Sequence, residues 1–252
     1  MTSPDAAAIE TLELAKAYGP KLAVQGLSLR VERGEVFGFL GPNGAGKTTT
    51  VKMLLGLVRP TAGEATILGR PVTRPDSRRK VGYLPEHFRF HEWLRADEFL
   101  ELHARLSGVS REARSRRIPE LLELVGLTAA ARQQLGTYSK GMLQRAGLAQ
   151  ALVNDPDLVF LDEPTSGLDP ISAGDFDELI RTLQQTLGLT VFMVTHDLES
   201  LYTACDRVAA LADGKVVAEG AIETMLECQH PWVKTYFQGK RGGMLVDRRM
   251  SA

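Results

Sequence analysis

Short apolar runs alternate along the chain with segments in which apolar residues recur every three or four positions. Three of these runs lie at 36–40, 158–161 and 190–194. Runs of that length are typical of strands that are buried on both faces. The helix predicted after the second run places four apolar residues on one face: Phe176, Leu179, Ile180 and Leu183. Strands that alternate with helices predict a mostly parallel sheet with functional groups at its carboxyl edge.

A second pattern indicates antiparallel strands on both sides of the first run. Residues 28–32 alternate polar and apolar, which is typical of a half-exposed strand, and 64–69 is another strand candidate. Near the other end of the chain, Asp213-Gly214 separates two apolar segments and predicts a hairpin turn. The sequence therefore predicts a partly antiparallel sheet beside a parallel core.

Between about residues 93 and 154 the pattern becomes helical. Apolar residues follow helical spacing in two groups: Phe99, Leu102 and Leu106, then Ile118, Leu121, Leu122 and Val125. We interpret about 90–154 as an α-helical subdomain inserted into one domain of residues 1–230. Residues 228–252 show no clear period, and we predict a short helix around Trp232 and a loose tail, with 231–252 as the C-terminal tail that follows the domain.

Composition and charge exclude several classes of protein. Lys and Arg number 30 against 31 Asp and Glu, so the net charge gives no support to nucleic-acid binding. Four arginines of the helical block (Arg111, Arg114, Arg116 and Arg117) are better explained as a solvated face than as a nucleic-acid or lipid patch. No apolar run approaches the ~20 residues needed to span a bilayer, and residues 1–5 do not resemble a signal peptide. We expect a cytosolic chain unless a partner holds it at a membrane.

The first apolar run leads into a glycine-rich segment that fits the phosphate-loop pattern. Glycine, four residues, Gly-Lys and then Ser or Thr is the arrangement that cradles phosphates at a helix N-terminus. Lys47 is expected to reach the β- and γ-phosphates and Thr48 to ligate Mg²⁺. The candidate nucleotide-binding residues are Gly41, Pro42, Asn43, Gly44, Ala45, Gly46, Lys47, Thr48 and Thr49. The alternative, an ordinary glycine-rich turn, does not explain the Lys-Thr pair, so we predict a nucleoside triphosphate site.

The other two apolar runs also end in groups suited to triphosphate chemistry. Asp162 and Glu163 follow the second run, as a candidate Mg²⁺ carboxylate and a candidate base for an attacking water. His196 follows the third run and can hydrogen-bond a γ-phosphate. Taken singly, a solvated acidic pair and a surface histidine are reasonable explanations. Because parallel strands end at one edge, we expect all three groups to meet at the phosphate loop.

A further helix begins after Tyr138-Ser139-Lys140-Gly141-Met142. Ser139 suits the N-cap, and Gly141 permits close approach of a phosphate to the helix N-terminus. A plain capped helix explains the same residues equally well. Physical reasoning alone leaves both interpretations open.

Together these motifs closely resemble the nucleotide-binding subunits of ABC transporters, in the same order and over nearly the whole chain. Residues 138–142 resemble the signature that begins LSGGQ in many members, and 158–164 resemble Walker B. Residues 166–169 match the D-loop, and His196 matches the H-loop. Tyr18 stands where the family stacks an aromatic ring on adenine. The resemblance implies an α/β, RecA-like P-loop NTPase core, with an antiparallel β subdomain and an inserted helical subdomain.

The resemblance also implies an assembly and roles for the residues. Two subunits, most simply a homodimer, would enclose two ATP molecules, with Ser139 and Gly141 acting in trans. Glu163 would be the catalytic base, His196 a γ-phosphate contact and Asp169 part of dimer communication. The helical block would dock a membrane permease at the cytoplasmic face, with ATP and Mg²⁺ as cofactors.

Two departures from the family pattern bear on these expectations. Glu86 stands where the family usually has a Mg²⁺-ligating Gln, and a carboxylate there would repel phosphate in the absence of the metal. Lys140 replaces a signature glycine and is expected to point to solvent, with a contact to the partner's ATP as the alternative. Both features resemble bacterial exporter subunits that pair with ABC-2 type permeases.

Other functional classes fit the sequence less well. Soluble ABC ATPases of ribosomes or DNA generally carry two cassettes or a long coiled-coil insertion, whereas this chain has one cassette and ~60 residues of helical insertion. A non-catalytic nucleotide sensor would not need both Asp162 and Glu163. The interpretation favoured by the sequence is an ATP-hydrolysing subunit of an exporter.

Overall fold

The computed structural model describes residues 6–87 and 89–239. The strands are β1 Ile9–Tyr18, β2 Lys21–Val31, β3 Val36–Leu40, β4 Ala62–Ile67, β5 Arg70–Pro71, β6 Val81–Leu84, β7 Leu158–Asp162, β8 Thr190–Val194, β9 Arg207–Ala212 and β10 Lys215–Gly220. The α-helices are α1 Lys47–Leu54, α2 Ala96–Leu106, α3 Arg111–Leu124, α4 Lys140–Ala151, α5 Pro170–Leu187, α6 Leu198–Ala204, α7 Ile222–Glu227 and α8 Pro231–Gln238.

A six-stranded sheet forms the centre, in the order β10-β9-β3-β8-β7-β6. All its pairs are parallel except β9 with β10. Every residue of β3, β7 and β8 is buried, which confirms the three buried strands predicted from the apolar runs. Phe39 of β3 lies beside Val194 of β8, and Val194 lies beside Asp162 of β7, so these three strands end level with one another. Groups that follow β3, β7 and β8 therefore converge at one edge.

The second sheet is antiparallel, in the order β2-β1-β4-β5. Leu27, Leu29 and Val31 of β2 are buried while the residues between them are exposed, as the alternating pattern predicts. Asp213 and Gly214 both have positive φ, at 49° and 75°, which suits the turn between β9 and β10. The prediction of an antiparallel sheet beside a parallel core is confirmed.

Helices α2, α3 and α4 form the helical block and share one hydrophobic cluster with residues of the central sheet. The prediction for α3 holds, because Ile118, Leu121, Leu122 and Val125 are buried. For α2 the spacing misled: Leu102 and Leu106 are 37% and 75% exposed. The helix instead buries Ala96, Phe99, Leu100 and Ala104. Helical spacing predicted the helix correctly but not which of its apolar residues face the core.

The predicted arginine face is only half right. Arg111 and Arg116 are exposed, but Arg114 donates to Glu101 Oε1 at 2.8 Å and to the Val109 carbonyl at 2.6 Å. Arg117 donates to the Leu152 carbonyl at 3.1 Å. These two side chains tie α3 to its neighbours instead of forming a solvated patch.

The first residues of the predicted C-terminal tail form helix α8. Helix α8 does contain Trp232, as predicted, but it is packed on the domain, and Val233 and Phe237 are fully buried. They join a cluster with Leu201 of α6 and Met225 of α7. Packing therefore continues past residue 230 because α8 presents an apolar face, and residues 240–252 lie outside the described part of the chain. Across the described residues, no helix combines the length and apolar character needed to cross a membrane.

Candidate active site

The phosphate loop joins β3 to α1, and its shape depends on glycine. Gly44 and Gly46 have φ of 83° and 109°, a region that side chains disfavour. A Cβ on Gly46 would lie 2.5 Å from the Ala23 carbonyl oxygen. Helix α1 begins at Lys47 and ends at Leu54. The helix N-terminus therefore opens directly onto the loop.

The Lys47 ammonium lies against the loop that precedes it. Its Nζ donates to the carbonyl oxygens of Gly41 at 2.6 Å and Pro42 at 3.3 Å. Burial lowers the pKa of Lys47, while the nearby carboxylates of Glu163 and Asp162 oppose that change. The loop thus holds a desolvated cation beside the acidic groups at the ends of the strands.

A cavity of about 270 Å³ opens over the loop and α1. Its lining residues are Tyr18, Lys21, Ala23, Asn43, Gly44, Gly46, Lys47, Thr48 and Thr49. Tyr18 is 49% exposed and Lys16 Nζ lies 5.1 Å from its ring centroid. Of the other predicted loop residues, Pro42 and Ala45 line a neighbouring cavity with Asp213.

Lys21 and Ala23 of this lining were not predicted from the sequence. They begin β2 immediately after the Gly19-Pro20 turn. Their only sequence signal is proximity to Tyr18, which stands at the end of the antiparallel partner strand. The hairpin register pairs Tyr18 with Lys21, and it thereby places Lys21 and Ala23 in the cavity wall beside Tyr18.

Asp162, at the end of β7, is the buried carboxylate of the site. Burial raises the pKa of Asp162 to about 6, with further contributions from Glu163 and Glu86, and Lys47 acts in the opposite direction. Glu86 is exposed just beyond β6, and its carboxylate also opposes the lowering of the pKa of Lys47. Mutual repulsion among three carboxylates favours a bound cation, so the donor chemistry of the site fits Mg²⁺. Within 6–87 and 89–239, no three His, Cys, Asp or Glu side chains are grouped to hold a metal by themselves.

Glu163 and His196 are brought into direct contact. His196 Nδ1 lies 2.7 Å from Glu163 Oε2, and the His196 backbone N–H donates to the same oxygen at 3.2 Å. The Glu163 side chain is 11% exposed and that of His196 is 68% exposed. Glu163 has a φ of 50°, an uncommon conformation for a residue with a side chain and one that is often kept at functional sites. Both residues were predicted from the sequence, but their hydrogen bond was not.

The signature stretch forms the N-terminus of α4. Ser139 is its N-cap, since its Oγ accepts from the Met142 backbone N–H at 3.2 Å. A Cβ on Gly141 would lie 4.0 Å from Ser172, so the first turn of α4 is near the start of α5. Lys140 is exposed, as expected, and its ammonium lies where a side chain on Gly167 would have to go. The structure therefore shows a capped helix, and a phosphate-binding role for it requires separate evidence.

Asp169 has a structural task that was not predicted from the sequence. Its Oδ1 accepts from the backbone N–H groups of Ile171 and Ser172, both at 3.1 Å, and thereby caps α5. The Ser172 hydroxyl donates to Oδ2 at 2.5 Å, and these bonds lower the pKa of Asp169. The Asp-Pro sequence was the available signal, because Pro is favoured at the first helical position after an Asp cap.

A family model described as ABC transporter matches residues 24–166, from β2 through the end of Walker B. The chain belongs to the ABC transporter family. ATP-binding domains of this family bind ATP and are ATPases. The match covers the phosphate loop, the helical subdomain and the signature helix, but ends before His196 and α8.

Individual ABC proteins resemble the chain over most of its length. An uncharacterized ABC transporter ATP-binding protein of Nostoc sp. (strain PCC 7120) is 46% identical over 223 residues, 88% of this chain and 65% of that protein. A Nod factor export ATP-binding protein I of Burkholderia pseudomallei is 41% identical over 225 residues, 88% of this chain and 74% of that protein. The chain thus spans somewhat less than two thirds of the Nostoc protein.

The solved structures agree with the fold. A structure described as the ATP binding subunit of an ABC transporter has a TM-score of 0.78 and 30% identity, and the alignment covers 92% of this chain and 98% of that one. Both the RecA-like core and the inserted helical subdomain are therefore those of an ABC ATP-binding subunit.

Proposed function

We propose that the chain binds Mg-ATP in the phosphate-loop cavity and hydrolyses it, and that hydrolysis powers export through a separate transmembrane permease. The observation that carries the hydrolytic part is the contact between Glu163 and His196 at the same sheet edge as the loop. A carboxylate held by a histidine, beside a cation and a helix N-terminus, is suited to orient and deprotonate a water molecule.

Each side chain has a distinct role in this proposal. Lys47 and the N–H groups at the start of α1 bind the phosphates, and Tyr18 stacks on the base. Glu163 accepts the proton of the attacking water, while His196 orients Glu163 and contacts the γ-phosphate. Thr48 and Asp162, with Glu86 as a third candidate, would hold Mg²⁺. When bound, the metal supplies positive charge that offsets the charge of the phosphates.

Replacement of Glu163 by Gln tests the assignment of the base. Glu163→Gln keeps the shape and the hydrogen-bond acceptor but cannot take a proton, so phosphate release should fall by at least about a hundredfold while ATP binding persists. We also expect Mg-ATP to trap a dimer of this variant, visible by size-exclusion chromatography. Glu178→Gln, an exposed position on α5, is the matched control. Hydrolysis by Glu163→Gln at the parental rate would rule out this role.

The separate positions of two helix starts support an assembly of two chains. The phosphate-loop cavity is lined by residues of β1, β2 and the loop, whereas the capped N-terminus of α4 lies beside α5. We infer that Ser139 and Gly141 serve the ATP held by a second copy of the chain, in a head-to-tail homodimer, and that Asp169 connects the two copies.

The permease and the direction of transport rest on the relatives. The Burkholderia protein is named as a Nod factor export subunit, and the exposed apolar residues of the helical block, such as Trp93 and Leu106, suit a protein contact. We infer docking to an ABC-2 type permease at the cytoplasmic face of the membrane, without nucleic-acid partners. Purification from its host under mild detergent should recover an integral membrane protein with the chain. Recovery of ribosomes or DNA instead would contradict the proposal.

A further inference from the structure

Helix α8 contacts the H-loop through the hydroxyl of Tyr236. The Tyr236 hydroxyl donates a hydrogen bond of 2.6 Å to the backbone carbonyl of His196, 40 residues earlier in the chain. The bond joins two segments that lie beyond the residues matched by the family model, 24–166. Neither the sequence pattern nor the family match predicts this contact.

The aromatic ring of Tyr236 is held firmly in place. It stacks on Trp232 with centroids 5.1 Å apart and planes 20° apart, and Phe237 meets it edge-on at 5.3 Å. Val233 and Phe237 on the same helix are fully buried. Gln238 Nε2 also donates to the Leu226 carbonyl at 2.7 Å, which fixes the end of α8 on α7. The hydroxyl therefore projects from a rigid support.

Both backbone polar groups of His196 are hydrogen-bonded. Its N–H donates to Glu163 Oε2, and its carbonyl accepts from Tyr236. The imidazole itself is 68% exposed, so packing contributes little to its orientation. Burial and the neighbouring carboxylates of Asp197 and Glu163 raise the pKa of Tyr236, so the phenol stays protonated and able to donate.

We propose that Tyr236 is a positioning residue for ATP hydrolysis, which holds the His196 backbone so that the imidazole meets Glu163. This inference rests on the roles proposed above for Glu163 and His196. Tyr236 touches the carbonyl of His196 and acts through it. Helix α8 thereby becomes part of the catalytic apparatus and not merely an end of the fold.

The test compares two variants of α8 in the full chain. Tyr236→Phe removes only the hydroxyl and keeps the stack on Trp232. One lost hydrogen bond corresponds to a kcat for Mg-ATP about three- to tenfold lower, with KM unchanged and Tm lowered by at most a few degrees. Lys234→Ala changes an exposed side chain of the same helix and leaves the hydroxyl and its support intact, so kcat and Tm should stay parental. A parental kcat for Tyr236→Phe overturns the proposal.

A second measurement follows the H-loop directly. Amide hydrogen exchange of a peptide that contains His196 and Asp197 should become faster in Tyr236→Phe, because the carbonyl between these residues has lost its tether. The peptide that covers Val233 should exchange at the parental rate. Unchanged exchange at His196 would contradict the proposal even if kcat fell.

A double variant separates this inference from the proposed role of His196. If Tyr236 acts through His196, Tyr236→Phe should cause no further loss of kcat in a His196→Ala background. The same fold-loss in both backgrounds would overturn the positioning role. A parental kcat for His196→Ala alone would instead refute the role of His196, whatever the exchange data show for the tether.

Discussion

Asp177 is the most confined carboxyl of α5, at 2% exposure, and it faces the hydroxyl of Ser200 on α6. Ser200 in turn lies 3.2 Å from the Thr165 hydroxyl, which follows Walker B. Asp177 Oδ1 has no hydrogen-bond partner among the described residues. Burial therefore raises the pKa of Asp177 to about 7, with smaller contributions from Asp197 and Glu199. The folded chain keeps a proton here that the unfolded chain releases.

That proton sets the sign of a pH dependence. Between about pH 4 and pH 7 the folded state binds more protons at Asp177 than the unfolded state, so stability falls as pH rises and levels off above about 7. Asp177→Asn keeps an acceptor for Ser200 but does not ionise, so its stability does not fall in this way as pH rises. In urea unfolding, the free energy of unfolding of the variant should exceed that of the parent by an amount that grows with pH, up to about 4 kcal/mol above pH 7.

Asp175→Asn is the control for this prediction. It removes an exposed carboxyl two positions away on the same helix. Its stability difference from the parent should be small, because the exposed side chain is in water in both the folded and the unfolded chain. If the gain of Asp177→Asn were equal at about pH 5 and about pH 8, the carboxyl would not be titrating as its burial requires.

Asp169, which we propose connects the two copies of the dimer, also stabilises the start of α5. Asp169 caps the helix through two backbone N–H groups, and α5 packs on the sheet through Phe176 and Ile180. Asp169→Ala should lower the free energy of unfolding, because two N–H groups lose their acceptor. Urea unfolding measures this loss.

Asp169→Asn distinguishes capping from communication between subunits. Asn caps helices about as well as Asp, so stability should stay near the parental value. A loss of ATPase activity in the stable Asn variant would assign a second role to the carboxylate. A loss of stability as large as that of Asp169→Ala would show that the side-chain charge, and not the cap, holds α5.

Elements were predictable where their signals are local. Full burial of β3, β7 and β8 followed from short apolar runs, and the loop at Gly44 and Gly46 from its glycine spacing. The inward face of α2 was not predictable, since Phe99 and Leu102 have similar apolarity and only the packing of α3 and α4 decides between them. The bond from Tyr236 to His196 depends on how α7 and α8 fold back onto α6, which no local pattern records.

At the scale of the whole molecule, the two helix starts that we propose to bind phosphate belong to different parts of the chain. The α1 start lies in the phosphate-loop cavity, and the α4 start lies beside Ser172 of α5. The proposed head-to-tail dimer would use both, since each site would take one start from each copy. The catalytic unit is then a pair of chains, and this can be tested by mixing inactive variants.

Lys47→Ala damages the phosphate loop and Ser139→Arg damages the signature helix, so each variant alone should be inactive. In a mixed dimer, the loop of the Ser139→Arg copy meets the signature helix of the Lys47→Ala copy, and one site is intact. Random pairing of equal amounts makes about half of the dimers mixed, so phosphate release should recover to about a quarter of the parental rate. A mixture of Lys47→Ala with Glu163→Gln is the control, because Lys47 and Glu163 of one chain serve the same site. In the mixed dimer, one site has the damaged loop. The other site has an intact loop but lacks its base, so phosphate release should not recover. If phosphate release recovered in this control, or failed to recover in the first mixture, composite sites would be refuted. Sites shared between two chains allow Lys47→Ala to complement Ser139→Arg but not Glu163→Gln.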